Sequence, residues 1–275
     1  MQTLQELRDA RLEAITPTHS PHTVKIFRRV SLNFLDWLED RELCKAEVMG
    51  WSDALSQHHA GSTVDLSVRT VHTWFRWCQL MGLMESNPAD GIPKLPNAKL
   101  KQPEWLNDEE VEQVLAAAWT PKKPDRRTAI FLLAIYAGLR KMELVNFDTR
   151  DIDWEKRVLW VKHNPAEGRV TKSRKSRSVP LHPRLAEALQ ALPPGKVYVG
   201  GADIYQRLIQ KVRKKCGIKK LRWHTLRHTF ASRLCLKNVS LRKLQAWLGH
   251  ASITMTERYS HLETGVFDDD IGRAK

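Results

Sequence analysis

Tyr259 stands nine residues after His250, in a stretch that begins Leu248-Gly249-His250. Upstream lies His224-Thr225-Leu226-Arg227-His228, and further back Gly138-Leu139-Arg140-Lys141-Met142-Glu143. Two arginines, two histidines and a tyrosine form a set suited to attack on a phosphodiester without a metal. A guanidinium presents a planar fork of donors that fits phosphate oxygens in pairs. Histidine exchanges protons near neutral pH. A tyrosine hydroxyl can serve as a covalent nucleophile. Each residue alone has a blander reading: Arg140 as a surface side chain paired with Glu143 on one helix face, His224 as a satisfied core histidine, Tyr259 as packing. Their joint occurrence outweighs those readings.

The elements around these residues read as mainly α. Ser20-Pro21 marks a helix start, with apolar residues following at helical spacing from Val24 to Leu38. Met1 to Ile15 and Ser62 to Gly82 also read as helices. Pro88, Pro93, Pro96 and Pro103 fall in one short span that reads as a solvated linker. Asn107 then caps a helix with Glu110 three residues on, and Thr128 to Leu139 is almost wholly apolar. Between Arg157 and Leu181 the period changes. Val158–Val161, Val170–Lys172 and Ser178–Leu181 read as strands of a small antiparallel sheet, with Lys172 to Arg177 at its hairpin tip. From Pro183 onward the pattern is helical again. The fold expected is an all-α N-terminal bundle followed by an α+β domain.

The net charge of +14 points to a polyanionic partner. It is unevenly placed: residues 1–100 carry 11 Lys+Arg against 12 Asp+Glu, whereas Ile204 to Thr256 carries 13 Lys+Arg and no acid. Exposed faces usually mix signs, so this stretch reads as a surface for polyphosphate. The four cysteines (Cys44, Cys78, Cys216, Cys235) include no C-x-x-C pair, which argues against zinc. No apolar run is long enough to span a bilayer and no signal peptide is evident, so a cytoplasmic or nucleoid-associated location is expected.

The box around Arg140, the H-x-x-R from His224 to Arg227, the L-G-H ending at His250, and Tyr259 occur in the order and spacing of the tyrosine recombinase (phage integrase) family, which the chain resembles over most of residues 18–262. The likeness is to its compact two-domain, Xer-like members. It implies an N-terminal helical core-DNA-binding (SAM-like) domain at 1–88, a linker at 89–103 and a catalytic domain at 104–275. It implies a site-specific recombinase that cleaves and rejoins double-stranded DNA through a 3′-phosphotyrosine on Tyr259. Arg140 and Arg227 would clamp the non-bridging oxygens, each worth roughly 3–4 kcal/mol of barrier. The family's catalytic lysine lies eight residues before a Val-Pro-Leu proline, which here is Pro180 and points to Lys172 as acid for the leaving oxygen. Arg174, Lys175 and Arg177 compete at the same turn, where contact with DNA backbone is the alternative. His224 and His250 would bind the phosphate or help deprotonate Tyr259, whose unperturbed pKa is near ~10. His228 and His261 read as bystanders. Met142 stands where the family often has a small residue, with packing behind Arg140 at stake.

The resemblance also implies no metal or cofactor, a tetramer on DNA, and room for accessory proteins. A C-terminal segment that docks on a neighbouring protomer would have Val266 and Phe267 as its anchors. Two alternatives share parts of the pattern. A type IB topoisomerase-like enzyme uses the same chemistry to relax DNA. A non-catalytic binding protein could use Leu241 to His261 as a helix-turn-helix, but would have no use for the tyrosine.

Overall fold

A computed structural model describes residues 3–93, 102–121, 125–197 and 199–262. The chain divides into two compact units, 1–101 and 102–275. The stretch 94–101 and the tail after 262, with Val266 and Phe267, lie outside the described residues.

The first unit is all helix: α1 (Leu4–Ile15), α2 (Pro21–Leu38), α3 (Lys45–His58) and α4 (Gly61–Leu80). Ser20 accepts from the Thr23 N–H at the start of α2, with Pro21 in the first turn, as the sequence expects. Its core is aromatic. Phe34 meets Trp51 edge-on at 4.9 Å, and Trp74 stacks on Phe75 at 4.9 Å. The proline-rich span does not begin as free linker. Asn87 and Ala89 are buried, and Asn87 Nδ2 donates to the His72 carbonyl at 3.2 Å.

The second unit carries α5 (Asp108–Ala118), α6 (Arg126–Tyr136), α7 (Lys141–Asn146), strands β1 (Ile152–Asp153), β2 (Val158–Val161) and β3 (Arg177–Pro180), then α8 (Pro183–Gln190), α9 (Ala202–Cys216), α10 (Trp223–Cys235), α11 (Leu241–Leu248) and the single turn α12 (Thr254–Glu257). Asn107 and Glu110 form the expected capping box. Every residue of α6 from Ala129 to Ile135 is buried, so this helix is the hub, with α5, α8 and α10 packed around it. The sheet order is β1-β2-β3, both pairs antiparallel.

The third strand of that sheet is therefore Ile152–Asp153, and not Val170–Lys172. The chain from 164 to 175 makes two turns instead: Asn164 and Arg169 exchange backbone hydrogen bonds of 2.8 and 2.9 Å, and Arg174 N–H donates to the Thr171 carbonyl at 3.1 Å. Val170 is thus exposed although it is β-branched. Met142 is also exposed.

Candidate active site

Helix α11 ends at Gly249, which adopts φ +65°. A helix C-terminus leaves backbone carbonyls without intrahelical partners and carries partial negative charge. Here three arginines from three different elements take three successive carbonyls. Arg177 Nε donates to Trp247 at 2.6 Å, Arg227 Nη2 to Leu248 at 2.5 Å, and Arg140 Nη2 to Gly249 at 3.2 Å. Arg227 Nη1 also donates to the Gly138 carbonyl at 2.7 Å. Gly138 lies at φ +63°, and a Cβ there would come within 2.5 Å of the Phe230 ring. The apolar run to Leu139 thus ends in a glycine turn that delivers one carbonyl to Arg227 and sets Arg140 at the head of α7.

Glu143 holds the same arginines from the other side. Its carboxylate accepts from the Arg140 backbone N–H at 2.8 Å and from Arg140 Nη1 at 3.0 Å. It takes both fork nitrogens of Arg177, at 2.9 and 2.7 Å, and Arg227 Nη1 lies 3.9 Å away. Burial alone would raise this carboxyl, but the hydrogen bonds and charge of Arg177, with Arg140, bring it down to about 2. Burial, then Arg140, push Arg227 down to about 9, which leaves it charged at neutral pH.

His250 follows the carbonyl cluster directly. Its Nδ1 pairs with Thr256 Oγ1 at 2.9 Å, which leaves Nε2 as the nitrogen for a ligand. Burial, then Arg227, Arg140 and Arg177, lower it to about 3, so it is neutral. His224 is lowered by burial, then by Arg227, Arg140, Lys172 and Lys141. That order places His224 in the field of both arginines and of Lys172. Lys172 itself sits on the turn from Thr171 to Arg174 and is exposed. Among the described residues it makes no hydrogen bond or ion pair. The turn is fixed beneath it: Thr171 Oγ1 donates to the Lys175 carbonyl at 3.0 Å, and Thr171 N–H donates to His163 Nδ1 at 3.1 Å.

Tyr259 is only 2% exposed. Its hydroxyl lies 2.5 Å from His228 Nδ1. Burial, then Arg258, His224 and Arg227, lower His228 to about 4, so it is neutral at neutral pH. Burial raises Tyr259 to about 12, against the pull of Arg227 and Arg258. Arg140 and Arg227 thus meet at the end of α11 beside His250, and Tyr259 reaches His228 on the helix that carries His224 and Arg227. His228, read as a bystander, is in hydrogen-bond contact with Tyr259, and Arg177 is not at the hairpin tip but buried on β3.

The family model described as the phage integrase family matches residues 104–196 and 202–265. The chain belongs to that family. A tyrosine recombinase of Thermosipho africanus is 29% identical over 89% of this chain and 90% of its own length. A protein named tyrosine recombinase XerC, from Pseudomonas entomophila, is 30% identical over 93% of this chain and 92% of its own. Among solved structures, the Tn1549 transposon integrase in complex with a circular intermediate DNA aligns over 99% of both chains with a TM-score of 0.73 at 18% identity. A lambda integrase dimer bound to a core site aligns over 94% of this chain and 77% of that one, with a TM-score of 0.74 at 19% identity. At such identities these structures show the fold alone.

This phage integrase family member is a tyrosine-type site-specific recombinase. The helix-turn-helix alternative fails on geometry as well: α12 is one turn, too short for a recognition helix, and its Thr256 is buried against His250. No helix among the described residues is long and apolar enough to cross a membrane.

Proposed function

We propose that Tyr259 is the nucleophile of DNA cleavage, with Arg140, Arg227, His224 and His250 binding the scissile phosphate and Lys172 donating the proton to the leaving 5′-oxygen. The observation that supports this reading is the anchoring of Arg140 on the Gly249 carbonyl and of Arg227 on the Leu248 carbonyl, immediately before His250. Two guanidinium groups already held in place lose little freedom when charge builds on the phosphate. The phenolic oxygen gives its proton to a neutral imidazole, His224 or His250, as it forms a bond to phosphorus; the bond to the 5′-oxygen breaks, and that oxygen takes its proton from Lys172. The strand remains attached as a 3′-phosphotyrosine, and the freed 5′-hydroxyl of the partner strand reverses the step on a new duplex. Cationic side chains carry the charge stabilisation, so the reaction as read needs no metal or cofactor.

The free chain holds its nucleophile back. In the resting arrangement the Tyr259 hydroxyl is neutral, buried and engaged by His228, so attack requires it to leave that contact. The partner is double-stranded DNA. The unit around residues 104–275 supplies the chemistry and residues 1–88 a second hold on the duplex, joined by the span 89–103. Two duplexes present four scissile phosphates, which fits a tetramer of this chain. Solved structures of this fold on DNA, among them XerH bound to a palindromic substrate in a post-cleavage complex, support DNA as the partner.

Incubation of the Tyr259→Phe protein with a nicked suicide substrate tests the assignment. No covalent adduct is expected. An adduct that persists would give the role to another residue.

A further inference from the structure

Arg177 is the arginine of this cluster that the reaction does not use. It belongs to a run of basic residues, Lys172-Ser173-Arg174-Lys175-Ser176-Arg177, which by composition would touch DNA backbone together. The fold separates it from the others. Along β3, Arg177 and Val179 are buried while Pro180 is exposed, so strand alternation turns the guanidinium inward. Its side chain is 7% exposed. Each of its three nitrogens already has a protein acceptor: Nε the Trp247 carbonyl, Nη1 and Nη2 the two Glu143 oxygens. One N–H on each Nη remains, but the group is buried and its fork is spent on Glu143, so it presents no free fork to a phosphate.

Glu143 is thereby gripped at both oxygens by a residue on another element, and it is Glu143 that holds Arg140 by backbone and side chain. Gly249 shows that room has been kept for this grip. A Cβ there would stand 3.0 Å from Arg177 Cδ and 3.2 Å from Nη1. The carbonyl of that same glycine is the second acceptor of Arg140.

We propose that Arg177 is a positioning residue of the recombination reaction: its two-pronged hold on Glu143 and its bond to the end of α11 fix the pair of acceptors that orient Arg140. A carboxylate gripped by one fork cannot swing, so Arg140 meets the phosphate in one orientation. Lysine keeps the charge but offers no planar fork. This inference rests on Arg140 being a phosphate-binding residue, as proposed above.

The test is a double-mutant cycle on the full-length protein, read as single-turnover adduct formation on the nicked suicide substrate. DNA affinity and thermal melting are followed in parallel. Arg177→Lys is expected to slow adduct formation by about 10–100-fold, the range for partners that orient a reacting group. DNA affinity should stay within about threefold. In an Arg140→Ala background the same change should cost less than about threefold, because the residue it acts through is gone. Arg177→Met, which keeps an unbranched stem, is the second variant if the lysine protein does not fold.

Equal losses in both backgrounds would overturn the proposal, as would parallel losses of affinity and rate. Failure of both variants to fold would make Arg177 a core residue and overturn it too. Should Arg140→Ala alone leave the rate unchanged, the assignment of Arg140 fails and not merely this inference.

Discussion

The cations of this site are held in two opposite ways. Arg140, Arg177 and Arg227 are locked between Glu143 and the end of α11, with Arg227 only 5% exposed. Lys172 stands exposed on a turn, with no hydrogen bond or ion pair among the described residues. The contrast follows the two tasks proposed for them. Stabilising charge on a phosphate rewards donors fixed in advance, because reorganisation during the reaction costs rate. Delivering a proton rewards an amine that can approach an oxygen only once that oxygen begins to leave. Framework and function are therefore inseparable at the arginines and separable at the lysine.

Arg227→Ala should have the largest effect, and on both counts. Adduct formation is expected to fall about 10³-fold. Stability should fall by about 3–5 kcal/mol, since the Gly138 and Leu248 carbonyls lose their donor inside the protein and Glu143 loses a neighbouring charge. A melt identical to that of the parent protein would erase the contrast. Lys172→Ala comes next, with a rate loss of about a hundredfold and an unchanged melt. A substrate with sulfur in place of the leaving 5′-oxygen sharpens the point, because a thiolate leaves without a proton. It should restore the Lys172→Ala rate and leave Arg227→Ala slow.

A further effect concerns pH and lies on the buried side. His228 and His250 fall from 6.5 to about 4 and about 3 in the folded chain. Between those values and 6.5 the unfolded chain binds more protons, so stability rises with pH there. The contribution is complete above about 6.5 and is lost as pH falls through 4 toward 3. Melting curves from pH 7.5 to 4.5 should show this decline, and His228→Phe should flatten part of it.

Local signals in the sequence were legible where their cause is local. Ser20-Pro21 and the Asn107–Glu110 box are helix starts that need no tertiary partner, and both are present. Helix α3 went unread because Cys44 gives no side-chain cap and its buried face is narrow. The strand expected at Val170–Lys172 lost to the turns around it, which a β-branched residue does not announce. His228 was passed over because its partner, Tyr259, is 31 residues away and no spacing rule links them. Arg177 was misplaced by its basic neighbours, yet a signal existed: it sits two residues before Val179, on the inward side of a period-two strand.

The three arginines meet oxygens of the main chain, so the side chains of Trp247 and Leu248 take no part in holding them. Apart from the buried Leu244 and Leu248, spelling along α11 is free to drift so long as the helix stops at the same step. One residue inserted or removed before Gly249 would turn those oxygens by about 100° and unseat all three guanidinium groups together. Evolution can thus edit the letters of this helix more safely than its length.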